Sequence, residues 1–250
     1  MTHLCYHEIS AGDSTYLYSI PAASFDEHVS VAVARGACVT FDDGHRSQYE
    51  NGLVALERHQ SKAIFFCTAG WVEHDPDAMS WAQLRELARL GHRIAAHGWS
   101  HKFLTLCSEE ELARELRQAR LHLEDGLGQS VDALSLPNGR WNRRVLEACA
   151  EHGYRRVFGS YPWFPSEVKG KAGGVEAVGR MNVPKGMGAP KLDAMLLAGP
   201  EKQWLPRMKL NAIYATRALI GDENYQRLWC WLARRDPEAE ARRGQPISGS

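Results

Sequence analysis

The stretch VTFDDGHRS, residues 39–47, joins an apolar run directly to two adjacent carboxylates, Asp42 and Asp43. Its β-branched and aromatic residues predict a buried strand, and Asp-Gly is a common turn signal where such a strand ends. Two like charges at the end of a buried segment lower stability unless a cation or a shared proton lies between them. The stretch therefore predicts a core strand with a functional site at its end.

Outward from this stretch, short β-branched or aromatic runs alternate with helical patterns from residue 36 onward. This alternation is typical of parallel strands joined by crossover helices, so the sequence predicts an α/β fold. The predicted strands are Ala37–Phe41, Ala63–Thr68, Arg93–Ala96, Val131–Leu136, Arg155–Gly159 and one near Glu176–Val183.

Capping signals predict where the helices begin. Ser80 with Gln83, and Ser108 with Glu111, have the spacing of a capping box, and a glycine follows each helical pattern as a stop signal. The predicted helices are Gln48–His59, Ser80–Gly91, Ser108–Gly126 and Asn142–Gly153.

The chain of 250 residues is long enough to bury a large core, and one α/β domain is expected, over residues 1–190. Residues 191–235 are helical by pattern, and residues 236–250 are polar and expected to fray. The helical extension is expected to pack on the main domain. The alternative is an amphipathic surface that contacts a membrane peripherally.

Composition excludes several classes of partner and location. Thirty Lys and Arg balance thirty Asp and Glu, so no net field attracts nucleic acid. The six cysteines are scattered, which favours free thiols in a reducing compartment over a disulfide framework. No apolar run is long enough to span a bilayer, and no signal peptide is recognisable, so a cytoplasmic location is expected. The oligomeric state is open.

Three groups of polar residues follow predicted strands at the same end. Asp42 and Asp43 follow the first strand, His97 follows Arg93–Ala96, and Pro137–Gly139 follows the strand that ends at Leu136. Because the carboxyl ends of parallel strands share one mouth, these groups are expected to converge.

His97 and His101 lie in HGWSH, a spacing that brings two imidazoles to one side of a turn. Two neutral histidines and one carboxylate are a typical ligand set of a catalytic divalent metal. One aspartate would bind the ion, which relieves the repulsion between the carboxylates. The other would stay near as a general base.

These motifs together resemble those of the polysaccharide deacetylases that share the NodB homology domain, carbohydrate esterase family 4. TFDDG at 40–44 resembles the first motif of that family, HGWSH at 97–101 the second, and SLPNG at 135–139 a variant of the third. The resemblance spans about residues 36–185 and implies a distorted (β/α) barrel of about seven parallel strands.

The resemblance also implies roles for individual residues. Asp42 would be the catalytic base, and Asp43 would bind the metal with His97 and His101. The backbone N–H of Asn138 would stabilise the oxyanion. The metal would be one divalent ion, zinc first, with cobalt, nickel or manganese as alternatives.

Two features depart from the family pattern. Many members carry an arginine where this chain has Ser135, so the contact that orients the aspartate is either absent or supplied by another residue. GRMNVP at 179–184 contains no histidine in the place of the family's general acid. We take His7, in CYHEI, as the candidate acid, with a structural role as the alternative and His45 as a second candidate.

Aromatic and loop residues near the predicted mouth are candidates for saccharide contacts. Tryptophans can stack on sugar rings, but they also fill the rim of an α/β core. The candidate substrate-binding residues are His45, Pro137, Trp141 and Trp163.

The sequence thus predicts a metal-dependent amidohydrolase that removes the N-acetyl group from a hexosamine-containing saccharide or glycoconjugate. One rival keeps the site and changes the substrate to an N-formyl sugar, a small-molecule amide or an O-acetyl ester. The other rival is a saccharide-binding protein whose catalytic site has decayed.

Overall fold

A computed structural model describes residues 1–162, 171–172 and 174–198, together with residues 208, 212–213, 215–217, 219–221, 224–225 and 227–228. The described residues form a mostly parallel sheet that curls around a small interior and carries helices on its outside, as the α/β prediction requires. The strands are β1 His3–Tyr6, β2 Glu8–Ser10, β3 Ser19–Pro21, β4 Cys38–Phe41, β5 Ala63–Cys67, β6 Arg93–Ala96, β7 Ala133–Ser135, β8 Arg156–Phe158, β9 Lys171–Ala172, β10 Val175–Val178 and β11 Met181–Asn182.

The large sheet has the strand order β11-β1-β4-β5-β6-β7-β8-β10-β9. Its first eight strands pair in parallel, and only β9 runs antiparallel to its neighbour. Strands β2 and β3 form a separate parallel pair. The helices are α1 Ala22–Arg35, α2 Leu53–Arg58, α3 Trp81–Arg89, α4 Glu109–Leu127, α5 Arg143–Glu151 and α6 Ala189–Ala198.

The curl of the sheet follows from the connection between β10 and β11. Only Gly179 and Arg180 separate these strands, although they lie towards opposite ends of the strand order. Three residue steps span at most about 11 Å. The two edges of the sheet must therefore approach each other, which gives the distorted barrel that the sequence predicts.

Two hydrophobic clusters hold the sheet. The larger cluster lies between the strands and the outer helices and includes Leu56 of α2, Leu84 of α3 and Leu116 of α4, all fully buried. The smaller consists of alternate residues of neighbouring strands, so it faces the interior of the curl: Ile64, Phe66, Ala95, Ala133 and Phe158.

The first strand of the sheet precedes the one that the sequence predicts first. Strand β1 lies between β11 and β4, near one edge of the sheet, and helix α1 covers the sheet beside it. Because β1 contributes Leu4 and Tyr6 to the large core, the N-terminal residues belong to the same folded unit as the motifs.

Several predicted boundaries shift. The helix expected to end at Gly126 continues to Leu127, with Gly128 as its left-handed cap at φ 68°. Gly126 thus lies inside the helix. Glycine is needed there because the Trp81 ring packs against the backbone, and a Cβ at position 126 would lie 2.2 Å from it. The strand predicted near Glu176–Val183 is in fact two strands, which are interrupted by the crossing at Gly179 and Arg180.

Helix α6 straddles the predicted boundary at residue 190 and packs against α1, where Arg35 pairs with Asp193 at 2.6 Å. Among the described residues, no helix is long and apolar enough to cross a membrane. The predicted tail, residues 236–250, lies outside the described residues, and the domain division stays a prediction.

Candidate metal centre and active site

The three polar groups that follow predicted strands do meet at one end of the barrel. Asp42 and Asp43 follow β4, His97 follows β6, and the Pro137–Gly139 turn follows β7. Backbone hydrogen bonds tie these strand ends together, including one from the His97 N–H to the Cys67 carbonyl at 2.8 Å.

Asp43, His97 and His101 form a compact cluster at this end. Their candidate ligand atoms all lie within 4.8 Å of one another. Oδ1 of Asp43 is 3.4 Å from Nε2 of His97 and 3.4 Å from Nε2 of His101. Thus the three residues that the sequence suggested as ligands face a common point.

These distances suit a shared cation better than direct hydrogen bonds. Charge-assisted N–H···O bonds are about 2.7–2.9 Å long. Two ligands of one tetrahedral ion, each about 2.0–2.1 Å from it, are about 3.3 Å apart. Oδ1 of Asp43 is also a buried oxygen without a hydrogen-bond partner. A set of two imidazoles and one carboxylate therefore fits a divalent metal here.

Neighbouring groups orient the first histidine. Nδ1 of His97 lies 2.9 Å from the Ser135 carbonyl, so Nδ1 carries the proton and Nε2 presents its lone pair to Asp43. Burial lowers the pKa of His97, but the charges of Asp42 and Asp43 outweigh it and raise the pKa overall. Burial likewise raises the pKa of Asp43, and the two imidazoles reverse this effect and hold it well below its usual value.

Two residues of this centre have an unusual backbone conformation. Asp43 and His101 adopt left-handed conformations, at φ 73° and 61°. Residues other than glycine seldom occupy this region, and they persist there only where surrounding contacts fix them. The left-handed backbone at both residues agrees with the proposed site, although Gln60 and Glu73, away from the site, share this conformation.

The HGWSH loop is held by one buried carboxylate from α4. Glu115 accepts hydrogen bonds from the backbone N–H groups of Trp99 and Ser100 and from the Ser100 hydroxyl, at 2.9, 2.9 and 2.5 Å. Gly98 lies beside Glu115, and its φ of 77° is a left-handed conformation that favours glycine. These contacts fix the path of the chain between the two histidines.

Asp42 has a different environment from Asp43. Both of its oxygens accept hydrogen bonds from Arg180, Oδ1 from Nη1 at 2.6 Å and Oδ2 from Nη2 at 2.7 Å. The Ser135 hydroxyl donates to Oδ2 at 3.1 Å, and Nε2 of His97 lies 4.0 Å from the same oxygen. Asp42 is therefore a fixed carboxylate beside the position where a metal bound by Asp43, His97 and His101 would lie.

The protonation state of Asp42 follows from this pairing. Burial raises the pKa of Asp42, but the Arg180 guanidinium, together with His97 and His7, outweighs it. The net effect lowers the pKa far below its usual value, so Asp42 is ionised at neutral pH, as a general base must be.

Arg180 is the site residue that sequence reasoning missed. It lies in GRMNVP at 179–184, where the only feature evident from the sequence is the missing histidine. The absence of the family arginine at Ser135 left open whether another residue supplies the contact, and nothing in the sequence pointed to a residue 138 positions from Asp42.

His7 lies at the same mouth. The Gln48 side chain donates to the His7 and Asp42 carbonyls at 2.7 and 2.5 Å, which ties the segment after β1 to the end of β4. The His7 ring stacks on Tyr18 at 4.9 Å, and its Nδ1 is buried without a hydrogen-bond partner. Burial lowers the pKa of His7, which the nearby aspartates only partly offset.

Cys5, His7 and Asp42 form a second group whose candidate ligand atoms lie within 4.8 Å of one another. It does not fit a metal, because Arg180 already supplies the positive charge to both Asp42 oxygens. Burial also raises the pKa of the Cys5 thiol well above its usual value, so the sulfur stays protonated and donates to Asp42 at 3.5 Å.

The other predicted site residues have varied surroundings. Asn138 has a left-handed backbone, at φ 56°, and an exposed side chain, while Pro137 is buried. His45 is tied to its own turn, with Nδ1 2.8 Å from the Ser47 hydroxyl. Trp141 packs partly buried against the large core, as the rim alternative expects. Trp163 lies outside the described residues.

Comparison with known proteins identifies the motifs. The sequence profile of the family described as polysaccharide deacetylase matches residues 31–157, about half of the chain. YxkH of Bacillus subtilis, a putative polysaccharide deacetylase, is 23% identical over 216 residues, 77% of this chain and 75% of that protein. A chitooligosaccharide deacetylase of Rhizobium leguminosarum bv. trifolii is 30% identical over 143 residues, 57% of this chain and 62% of that enzyme.

The fold has solved counterparts. The Streptococcus pyogenes deacetylase PplD, solved in complex with acetate, matches with a TM-score of 0.70 and 19% identity, over 78% of this chain and 97% of that one. At this identity the likeness establishes the fold only. The chain spans only half of another relative, an uncharacterised Geobacillus stearothermophilus protein that is 28% identical over 137 residues, 53% of this chain.

Proposed function

The chain belongs to the polysaccharide deacetylase family, and from this membership we propose that it is a metal-dependent hydrolase that removes the N-acetyl group from a hexosamine-containing saccharide or glycoconjugate. The family acts on amide bonds of acetylated saccharides. The hexosamine substrate and the metal requirement are part of this proposal, and zinc is the proposed ion.

The arrangement of the two adjacent aspartates carries the proposal. Asp43 shares a point with His97 and His101, while Asp42 stands 4.0 Å from His97 and is held ionised by Arg180. A divalent ion bound by Asp43, His97 and His101 would polarise the amide carbonyl and make a nearby water more acidic. A decayed binding protein has no need for a fixed, ionised carboxylate beside these ligands.

Three residues of the chain would then move or stabilise charge. Asp42 would accept the proton of the attacking water, because it is ionised and close to the ligands. The Asn138 N–H would donate to the oxygen that develops charge on the acetyl carbon. His7 would give a proton to the departing amine, which cannot leave as an anion. Acetate and a free amino sugar result.

The substrate class draws on the relatives. The Rhizobium enzyme is named for chitooligosaccharides, and Listeria monocytogenes PgdA, 32% identical over 110 residues, for the N-acetylglucosamine of peptidoglycan. Both names refer to N-acetylated hexosamines, and the balanced charge of this chain suits a neutral sugar. A cytoplasmic location and a peripheral membrane contact stay predictions.

Acetate release is the direct test. Wild type is incubated with N-acetylglucosamine oligomers and with nucleotide-linked and lipid-linked N-acetyl sugars, with and without a chelator. We expect acetate from at least one of these substrates and loss of release when the metal is removed. Asp42→Asn should lower the rate of release about 10²–10⁴-fold, and Asp13→Asn, the same change at an exposed site, should preserve it.

The rivals give different outcomes in the same assay. Formate release from N-formyl sugars, or acetate release from O-acetyl esters alone, would replace the proposed substrate. Saccharide binding without any release, by a protein that holds no stoichiometric metal, would favour the decayed binding protein. A rate of release in Asp42→Asn close to that of wild type would contradict the assignment of the base.

A further inference from the structure

We infer that Arg180 is the positioning residue for the catalytic base, and that it takes the place of the arginine which this chain lacks at Ser135. The inference rests on the proposed function and deepens it. On this inference, the short connection between β10 and β11 both closes the barrel and completes the active site.

The guanidinium of Arg180 has a partner for every N–H group. Nε donates to the Gly159 carbonyl at 2.8 Å, Nη1 to Thr40 and Asp42 at 3.2 and 2.6 Å, and Nη2 to Asp42 and Ser135 at 2.7 and 2.7 Å. An arginine has five such donors, so all are used. The side chain is fully buried and has one position that satisfies it.

The bidentate pair fixes the plane of the Asp42 carboxylate. Two parallel N–H···O bonds restrict rotation about the last side-chain bond, which one point charge would not do. The Ser135 hydroxyl lies between the two groups, donating to Asp42 and accepting from Arg180. Asp42 therefore keeps one orientation relative to His97 throughout the reaction.

Aromatic rings support the guanidinium from inside the barrel. Arg180 lies over the Phe66 ring, 5.1 Å from its centroid, and 6.0 Å from that of Phe158. Both rings belong to the small interior cluster. The Asp42–Arg180 pair therefore packs on the aromatic side chains of the barrel interior.

The position of Arg180 in the chain links the pair to closure of the sheet. Arg180 lies in the two-residue crossing between β10 and β11, and its backbone N–H donates to the Tyr161 carbonyl at 2.8 Å. Next to it, Gly179 passes so close to Pro162 that a Cβ would lie 2.5 Å from the Pro162 carbonyl. The side chain reaches Asp42 only when this crossing is in place.

The small side chain at position 135 is part of the same arrangement. Ser135 and Arg180 both contact Oδ2 of Asp42, so an arginine at 135 would compete for the space that Arg180 fills. The cation can therefore come from position 135 or from position 180, and in this chain it comes from position 180, in the crossing between β10 and β11. The arrangement predicts that the cation can be moved between them.

The test compares wild type with Arg180→Lys, Arg180→Ala and Arg180→Ala combined with Ser135→Arg. Acetate release gives kcat and KM, metal content gives the occupancy of the Asp43 centre, and thermal unfolding reports folding. Arg93→Lys is the matched control, because Arg93 pairs with Asp132 at the opposite end of the barrel.

We expect Arg180→Lys to fold, to keep one equivalent of metal and to lose at least tenfold in kcat with KM within threefold. Arg93→Lys should stay within twofold of wild type in both constants. Adding Ser135→Arg to Arg180→Ala should raise kcat at least tenfold, which a merely structural role would not explain.

A kcat of Arg180→Lys within twofold of wild type would overturn the inference, as would a fall that is entirely in KM. If Arg180→Ala does not fold, Arg180→Lys decides alone, because it retains the charge. A wild type that releases no acetate from any substrate contradicts the proposed function and this inference together, whereas an active Arg180→Lys contradicts only the inference.

Discussion

Asp42 and Asp43 are neighbours in sequence, yet their carboxylates are neutralised in opposite ways. Asp42 is paired with a guanidinium that is always charged, is bound to the chain and occupies both oxygens. Asp43 faces two imidazoles at 3.4 Å, and its Oδ1 has no hydrogen-bond partner. The first environment is complete, and the second provides ligands for a cation.

The difference suits the two roles proposed for this dipeptide. A carboxylate with a permanent partner keeps its charge and its orientation, as a base requires. A carboxylate beside neutral donors is suited to bind an ion from solution. The left-handed backbone at Asp43, φ 73°, turns its side chain away from the direction of Asp42 and separates the two environments.

The largest effect should come from exchanging each carboxylate for an amide. Asp42→Asn should bind metal normally but lose about 10²–10⁴ in kcat, because the proton acceptor is gone. Asp43→Asn should lose metal affinity first, and excess metal should partly restore its activity. Metal titration beside steady-state kinetics separates the two, and a similar loss of metal in both variants would contradict the division of roles.

A smaller, substrate-dependent effect is expected at His7. An amine leaving group needs a proton and a phenolate does not, so His7→Gln should lower amide turnover about 10²-fold or more and leave hydrolysis of an aryl acetate ester nearly unchanged. His45→Gln is the matched comparison, since His45 is the second candidate acid. Equal losses on amide and ester in His7→Gln would make His7 structural.

The response of stability to metal should depend on pH. The raised pKa of His97 means that protonated His97 stabilises the metal-free fold at low pH, and this contribution is lost as the pH rises through the folded value. Metal binding needs neutral imidazoles, so its contribution grows in the same direction.

Metal at 100 times its Kd adds about 2.7 kcal/mol. At about 2–4 °C per kcal/mol for a protein of this size, the metal should raise Tm by several degrees at pH 8 and by less at pH 6. Thermal unfolding with and without metal at both pH values measures this, and an increment that is larger at pH 6 would argue against histidine ligands.

The smallest effect is expected at Cys5. Its thiol makes a weak bond to Asp42 beside a cation that is already present, so Cys5→Ser should change kcat by no more than about threefold. The metal content should stay at one equivalent per chain. A second equivalent in wild type that disappears in Cys5→Ser would show that the Cys5, His7 and Asp42 group binds metal after all.

Local features of the sequence were sufficient for the fold class and for the ligand cluster. The alternation of strands and helices, the capping boxes at Ser80 and Ser108 and the ends of strands such as Arg93–Ala96 each depend on residues close in sequence. The HxxxH spacing and the Asp pair are equally local. Parallel topology then brings them together without further information.

Long-range features could not be predicted in this way. Strand β1 lies before the alternation of strands and helices that begins at residue 36, and its place beside β4 depends on the tertiary fold. The split of the last predicted strand follows from barrel closure, which no local pattern encodes. Arg180 combines both difficulties, since its role depends on a crossing that joins two distant edges of the sheet.

The left-handed ligands have a consequence for attempts to make this protein more heat-resistant. Asp43, His101 and Asn138 are three of the described non-glycine residues with positive φ, and glycine there would relax the backbone. Redesign aimed only at backbone strain and melting temperature would be drawn to these positions, and at two of them would remove a proposed metal ligand. Selection for robustness must therefore be paired with a screen for turnover.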